Sequence, residues 1–359
     1  MDNGRIDRLK REMAKSDMDL AVYGCGPRYQ YLTGTANGWR FRADTVSAAE
    51  LLLVPLEHSP TLLSASDANS LGDTLRNFAG DSDCSRIAVG DQPKPQAWAA
   101  LYGAFPHATF IPGDQLLSPL RLIKDAHEIE TLRKAAAMTD AAVQAALPAI
   151  REGISMRDLQ LEIEMHARRA GATGTSFDIV SGFIAPGSDS VGSIFSYGPD
   201  EGLRNETTIF FDIGFVVDGY CSDWGRSVFF GTPDRVVAEA YRSLQKAVVD
   251  TVGAIEVGRT RVCDLYPLIE SSLDASGYGD YIRARLPSKS VGHQIGMEVH
   301  ENPWLEPRND DLIQPGMVFC MEPKLWDDGR YYLRVEDMVL ITEQGAEFLT
   351  TFDRELFSL

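Results

Sequence analysis

The chain is poor in cysteine, histidine and positive charge, and each shortage closes a class of function. Its five cysteines (25, 84, 221, 263 and 320) form no close pair and are odd in number. That excludes a disulfide framework or a zinc knuckle and suits thiols kept reduced in a cytoplasm. Lys and Arg number 34 against 52 Asp and Glu, a net charge of −18, with a pI near 4.7. Such a surface repels nucleic acid and anionic membranes as partners. No apolar run is long enough to span a bilayer, and the opening Met1-Asp2-Asn3-Gly4-Arg5 is polar rather than signal-like. There is no low-complexity tract, internal repeat, P-loop, Gly-x-Ser-x-Gly or His-Glu-x-x-His. What remains is a 359-residue chain, long enough for two ordinary domains with a sizeable core.

What is present starts with two acids set in stretches that otherwise want burial. Thr207 to Val217 reads as a strand and Tyr220 to Phe230 as the next, joined by Asp218-Gly219, a strong two-residue hairpin signal. With that turn, Gly214 lies opposite Asp223. Side chains alternate faces, so Asp212 shares a face with Gly214 and with Asp223. The carboxylates become diagonal cross-strand neighbours, with the missing side chain of Gly214 leaving space between them. Two acids on one face of a mostly apolar hairpin repel and desolvate each other unless a cation sits there. A metal ion is the economical answer; a hairpin face open to water is the bland one.

A second hairpin repeats the device. Met317 to Glu322 is an apolar run ending in an acid, and Tyr331 to Thr342 carries Arg334 and Glu336 on one face. A three-residue loop Asp327-Asp328-Gly329 places Glu322 opposite Arg334 and diagonal to Glu336. Between the hairpins lies Gly292-His293 through His300-Glu301-Asn302-Pro303, whose glycines let the backbone approach a crowded centre. Four carboxylates and one imidazole make an oxygen-rich site without thiolate. That set favours Mn²⁺, Fe²⁺, Co²⁺ or Zn²⁺, and bridging carboxylates favour two ions over one.

Asp212, Asp223, His293, Glu322 and Glu336 in these surroundings closely resemble the five-ligand dinuclear centre of the pita-bread metallopeptidases. That family comprises methionine aminopeptidase, aminopeptidase P and prolidase, with creatinase as a relative that lost the metal. The matching segments are Phe211-Asp212-Ile213-Gly214, Tyr220 to Arg226, Gly292-His293, His300-Glu301-Asn302-Pro303, Met321-Glu322-Pro323 and Arg334-Val335-Glu336-Asp337. Ligand spacings of 11, 70, 29 and 14 residues fit the prolidase-like branch. The resemblance implies an α+β pita-bread catalytic domain preceded by a smaller α/β creatinase-type N-terminal domain, in a cytoplasmic homodimer. It also implies two divalent ions, Mn²⁺ first among them, and a metal-bridging hydroxide that attacks short peptides at Xaa-Pro bonds. Glu322 would serve as ligand and general base, His300 would stabilise the tetrahedral intermediate, and Arg334 would buttress the metal glutamates.

Two departures bear on the substrate. Peptidase members carry a substrate-contacting histidine shortly before the first metal-binding strand. The six histidines here (58, 107, 127, 166, 293 and 300) leave none between 166 and 293. Ser193 to Tyr197 occupies that region, and Lys289 stands where relatives carry a histidine four residues before the metal histidine. A permanent cation in place of a neutral imidazole changes what a pocket stabilises. Tyr197 and Lys289 are therefore the expected substitutes at the substrate. The alternative is a same-fold enzyme on a small metabolite, as relatives act on creatine, ectoine or a sulfonium propionate; a non-catalytic binding protein is the remaining class.

Coarse patterning places a small α/β domain at 1–118: helix 5–15, strands 18–23 and 50–54, helix 67–78, strand 86–90 and helix 94–103. A linker at 119–124 and a catalytic domain at 125–359 follow. The latter opens on an Ala-rich helix interrupted near Pro148 and another starting at Ser155, whose Asp158 sits at capping-box distance. Helices near 233–254 and 261–275 separate the hairpins. Asn37-Gly38-Trp39-Arg40-Phe41-Arg42 is a loop from which Trp39 could reach the substrate of a partner subunit, if it is not an ordinary surface turn.

Overall fold

A computed structural model describes the chain except residues 36–38, 42–48, 66–67, 81–83, 186–196, 284–288, 328–329 and 356. It divides into two compact units, Met1–Arg121 and Leu122–Leu359.

In the first unit the chain runs α1 (Asn3–Lys15), β1 (Leu20–Gly24), α2 (Pro27–Thr33), β2 (Ala49–Pro55), β3 (Thr61–Ala65), α3 (Ala68–Gly80), β4 (Arg86–Gly90), α4 (Pro95–Ala104), β5 (Thr109–Pro112) and α5 (Asp114–Leu122). The sheet order is β3-β2-β1-β4-β5, with β1, β4 and β5 parallel and β2 and β3 antiparallel. Leu20, Val22, Leu51, Leu53, Ile87 and Val89 on one sheet face pack with Leu71 and Leu75 of α3 and Leu101 of α4. Pro119, expected to open a linker, lies inside α5. Sequence patterning also passed over α2, β3 and β5, which are short or only partly buried.

The second unit begins with α6 (Ala126–Ala146) and α7 (Met156–Arg169). Asp125 and Glu128 form a capping box on α6, and the Ser155 hydroxyl accepts from the Asp158 amide at the start of α7, satisfying otherwise orphaned amides. Then come β6 (Gly174–Thr175), β7 (Val180–Ile184), β8 (Thr207–Ile213), β9 (Phe215–Val217), β10 (Tyr220–Cys221), β11 (Trp224–Phe230), α8 (Arg235–Gly253), α9 (Leu265–Ala275), α10 (Gly279–Arg283), β12 (Gly292–Gln294), β13 (Glu301–Trp304), β14 (Val318–Met321), β15 (Lys324–Asp327), β16 (Tyr331–Thr342) and β17 (Gly345–Phe348). The main sheet runs β13-β12-β14-β16-β11-β8-β7, with β15 and β17 also paired to β16; β10-β9-β6 forms a smaller one.

The alternation of side chains sorts this sheet into two faces. Ile209, Phe211 and Ile213 of β8 and Trp224 and Val228 of β11 join a core with Leu159 and Ile163 of α7. Leu333, Val335, Val339 and Ile341 of β16 and Phe319 and Met321 of β14 pack with Leu244 and Val248 of α8 and Ile269 of α9. The helices thus cover one face. Asp212, Gly225, Arg334, Glu336 and Cys320, at the intervening positions, are left on the other.

Candidate metal centre

The first hairpin has the register its turn dictates. Val217 pairs with Tyr220, and Asp218 and Gly219 both take positive φ, 48° and 85°, as a tight hairpin turn of matching twist requires. Beyond the hairpin Trp224 pairs with Ile213 and Gly225 with Asp212; the same register sets Asp223 opposite Gly214. Gly214 does not open space between the acids, however. A Cβ there would meet Ser222 O at 2.2 Å and Ser176 Cβ at 2.9 Å. The glycine that clears the centre is Gly225, which pairs with Asp212 on one side and Glu336 on the other. A Cβ on Gly225 would stand 2.6 Å from Arg334 Nε and 3.0 Å from Glu336 Oε2.

The second hairpin corrects the expected register by one pleat. Asp327 pairs with Tyr331 and Lys324 with Arg334, while Met321 pairs with Asp337. Glu322 therefore lies at the level of Glu336, not of Arg334. Asp328 and Gly329 of the expected loop fall outside the described residues. The face is unchanged because the shift is even-numbered. β12 brings in His293 opposite Cys320. Gly292 makes that approach feasible: its φ is +151° and a Cβ would sit 1.8 Å from Cys320 O.

Five acidic and imidazole side chains and one guanidinium thus converge. His293 Nε2 lies 3.5 Å from Asp223 Oδ2 and 3.9 Å from Glu322 Oε1, and its Nδ1 is 2.9 Å from Gln294 O. A proton on Nδ1 would donate to that carbonyl and leave Nε2 facing the carboxylates with a lone pair. The buried Arg334 guanidinium donates from Nη1 to Asp212 Oδ2 and from Nη2 to Glu336 Oε2, and reaches Glu322 Oε2 at 3.1 Å. Lys324 Nζ lies 2.6 Å from the same Glu322 oxygen.

The charges are unevenly satisfied. Burial raises Asp212 above the usual carboxylate range despite Arg334, and raises Glu336 well above it. Glu322 goes the other way: against burial, Lys324, Arg334 and His293 hold it down at about 2. Against its own burial, Asp223 and Glu322 hold the His293 imidazole above the ordinary value. Two buried oxygens, Asp223 Oδ1 and Glu336 Oε1, have no hydrogen-bond partner. Unpaired buried carboxylate oxygens are costly, and a divalent cation is the group that would satisfy them. The donor atoms of Asp223, His293, Cys320 and Glu336 all lie within 4.8 Å of one another, so the residues fit a metal ion.

His300 stands beside this centre. Its ring is 4.4 Å from that of His293, edge to face, and 5.0 Å from that of Trp304. Burial and the neighbouring imidazole hold it below the ordinary histidine range, so it is neutral near pH 7. Two expected substrate contacts lie elsewhere. Tyr197 is buried in the core on the helix-covered side, with its hydroxyl 2.8 Å from Thr207 Oγ1 and accepting from Arg204. Thr207 is odd-numbered on β8, on the opposite face from Asp212. Lys289 holds its ammonium 5.3 Å from the centroid of Tyr266, a member of the helix-side core. Ser193 to Ser196 lie outside the described residues. Trp39 belongs to the first unit, where its Nε1 donates to Gln30 Oε1 and Arg40 stacks on its ring; Asn37, Gly38 and Arg42 are not described.

Three residues at the centre escaped the sequence reading. Lys324 and Cys320 were within reach, since each lies two positions from Glu322 and so shares its face. Trp304, 39% exposed beside His300, carries no such signal, because only the pairing of β12 with β13 sets it opposite His293.

The model of metallopeptidase family M24 matches residues 130–343, and the chain belongs to that family. An uncharacterized peptidase of Staphylococcus saprophyticus is 32% identical over 254 residues, covering 71% of this chain and 70% of its own. The Xaa-Pro dipeptidase of Bacillus anthracis superposes with a TM-score of 0.84 at 25% identity over 99% of both chains. A prolidase of Thermococcus sibiricus does so with 0.85 at 25% identity over the whole of both. The fold is the pita-bread fold with an α/β unit before it, and the protein is a hydrolytic enzyme of the metallopeptidase class. No helix among the described residues is long and apolar enough to cross a membrane.

Proposed function

We propose that the chain is a dinuclear metal-dependent peptidase that cleaves short peptides with a free amino end at Xaa-Pro bonds. The observation that carries this reading is the convergence of Asp212, Asp223, His293, Glu322 and Glu336 on the sheet face away from the helix-side core, with Asp223 Oδ1 and Glu336 Oε1 lacking partners. In this reading those five side chains hold two divalent ions, Mn²⁺ or Co²⁺ first among them. When bound, the ions supply Lewis-acid polarisation of the scissile carbonyl and an activated water.

The chain's own groups do the rest. Glu322, held ionised by Lys324 and Arg334, accepts the proton of the attacking water. His300, neutral and beside His293, donates toward the oxygen or nitrogen on which charge develops. Arg334 holds Asp212, Glu322 and Glu336 in place. The solved relatives named as Xaa-Pro dipeptidase and prolidase support the substrate assignment. Dimer formation and a cytoplasmic location are part of this proposal.

A second reading, action on a small zwitterionic metabolite, is favoured by the lack of histidine between 166 and 293. One experiment separates them. The chelated protein is reloaded with Mn²⁺ or Co²⁺ and offered Xaa-Pro dipeptides beside betaine-like and cyclic amidine substrates. Turnover of the dipeptides, lost in Asp212→Ala, is the expected result. Turnover that survives complete metal removal would refute the reading.

A further inference from the structure

The most compact set of donors in the centre is not the expected one. Asp223, His293, Cys320 and Glu336 have mutually close donor atoms, while Arg334 contacts one oxygen each of Asp212, Glu322 and Glu336. Asp212 Oδ2 is taken by Arg334, and Glu322 Oε2 is shared between Lys324 at 2.6 Å and Arg334 at 3.1 Å. Cys320 enters through strand geometry. It pairs with His293 on one side and Met338 on the other. Its Sγ therefore leaves the sheet on the face that carries His293 and Glu336, and the residue is completely buried. The two unpartnered oxygens belong to this foursome: Asp223 Oδ1 and Glu336 Oε1, on carboxylates 3% and 0% exposed.

We propose that the Cys320 sulfur is itself a metal ligand, so that the first divalent ion binds an N,O,S tetrad of Asp223, His293, Cys320 and Glu336. The proposal rests on the metal-centre reading above and deepens it. As the metal–sulfur bond forms, the S–H bond breaks and its proton leaves to solvent; no electron is exchanged. Bonds of about 2.0 Å to nitrogen or oxygen and about 2.3 Å to sulfur draw these donors inward around one ion. A soft sulfur donor in a four-coordinate site shifts preference from Mn²⁺ toward Zn²⁺ and Co²⁺. It makes this centre chemically distinct from one built only of oxygen and imidazole.

Metal-free, full-length protein titrated with Co²⁺, with bound cobalt counted by elemental analysis, tests this directly. A sulfur-to-cobalt charge-transfer band in the near ultraviolet should rise with the first equivalent. It should vanish in Cys320→Thr and persist in Cys221→Ser, whose buried thiol donates to Met297 O instead. The Thr variant should lose Zn²⁺ affinity by more than the roughly 10–100-fold that removal of an outer-shell partner costs, with Mn²⁺ affinity changed far less. Should the Thr variant fail to fold, X-ray absorption at the zinc edge of the unmodified protein decides the matter: one sulfur scatterer supports the assignment, and oxygen and nitrogen alone overturn it. Cobalt bound without the band overturns sulfur ligation and leaves the metallopeptidase reading standing; no cobalt bound overturns both.

Discussion

Arg334 faces three carboxylates from a buried position, and it is the cation that lets Asp212 and Glu336 share a low-dielectric space. A planar guanidinium presents its N–H donors in a fixed fork wide enough to span two acids, whereas an ammonium is a compact point charge on a flexible stem. Removing one partner of a buried ionic set leaves the others uncompensated, at about 3–5 kcal/mol. Arg334→Met should therefore lower the urea-unfolding free energy of the metal-free protein by about that amount, and Arg334→Lys should restore little of it. An Arg334→Met protein as stable as the parent would show that the acids are neutralised another way. Glu322 is the contrasting residue. Its carboxylate stays charged because Lys324 and Arg334 both sit on one oxygen, which leaves Oε1 directed to His293. Lys324→Met should move the acid limb of the kcat–pH profile to higher pH, because Glu322 loses a cation that holds its carboxyl down; an acid limb that stays in place would remove Lys324 from this role.

At the scale of the element, β12 is the strand whose placement depends on one residue. Gly292 lets it approach β14 closely enough to seat His293 opposite Cys320. Gly292→Ala brings a Cβ to within 1.8 Å of a backbone oxygen at φ +151°, so the strand must shift. The expected outcome is loss of stoichiometric metal binding in equilibrium dialysis together with a lowered unfolding midpoint. In the first unit, helix α2 is tied to β4 by Asp91, whose Oδ2 accepts the Tyr29 amide at 2.6 Å while Arg28 lies 3.4 Å away. Burial pushes this carboxyl up to about 6 from 3.8, only partly offset by Tyr29 and Arg28. The folded state therefore keeps a proton that the unfolded chain releases between those values. The stability this provides is complete below 3.8 and is lost as pH rises through about 6. Asp91→Asn should flatten the fall in urea midpoint across that window, a change of roughly 2–3 kcal/mol. An unchanged pH profile would remove the assignment.

At the scale of the whole molecule, apolar side chains among the described residues build core clusters in the first unit and in the second, and the metal-centre residues all belong to the second. Calorimetry should resolve two transitions, with divalent metal raising only that of Leu122–Leu359. At about 100 times the dissociation constant the expected stabilisation is roughly 2.7 kcal/mol. A single transition raised by metal would mean that the units unfold as one.

From the amino-acid order alone come the paired acids, their shared faces, the family resemblance and most long helices. The faces and helices depend on local periodicity, and the first hairpin on a two-residue turn whose geometry admits one register; the family resemblance rests on the matched segments around Asp212, Asp223, His293, Glu322 and Glu336. Three facts came only from the tertiary structure: Glu322 lies at the level of Glu336, Gly225 rather than Gly214 clears the centre, and Tyr197 and Lys289 turn to the helix-covered side. Cys320 and Lys324 share the parity of Glu322, yet nothing in a linear pattern says which neighbours a strand will have. Sheet order is set by pairing between distant segments, and it is that pairing which decides whether a side chain on the right face meets a metal, a carboxylate or the core.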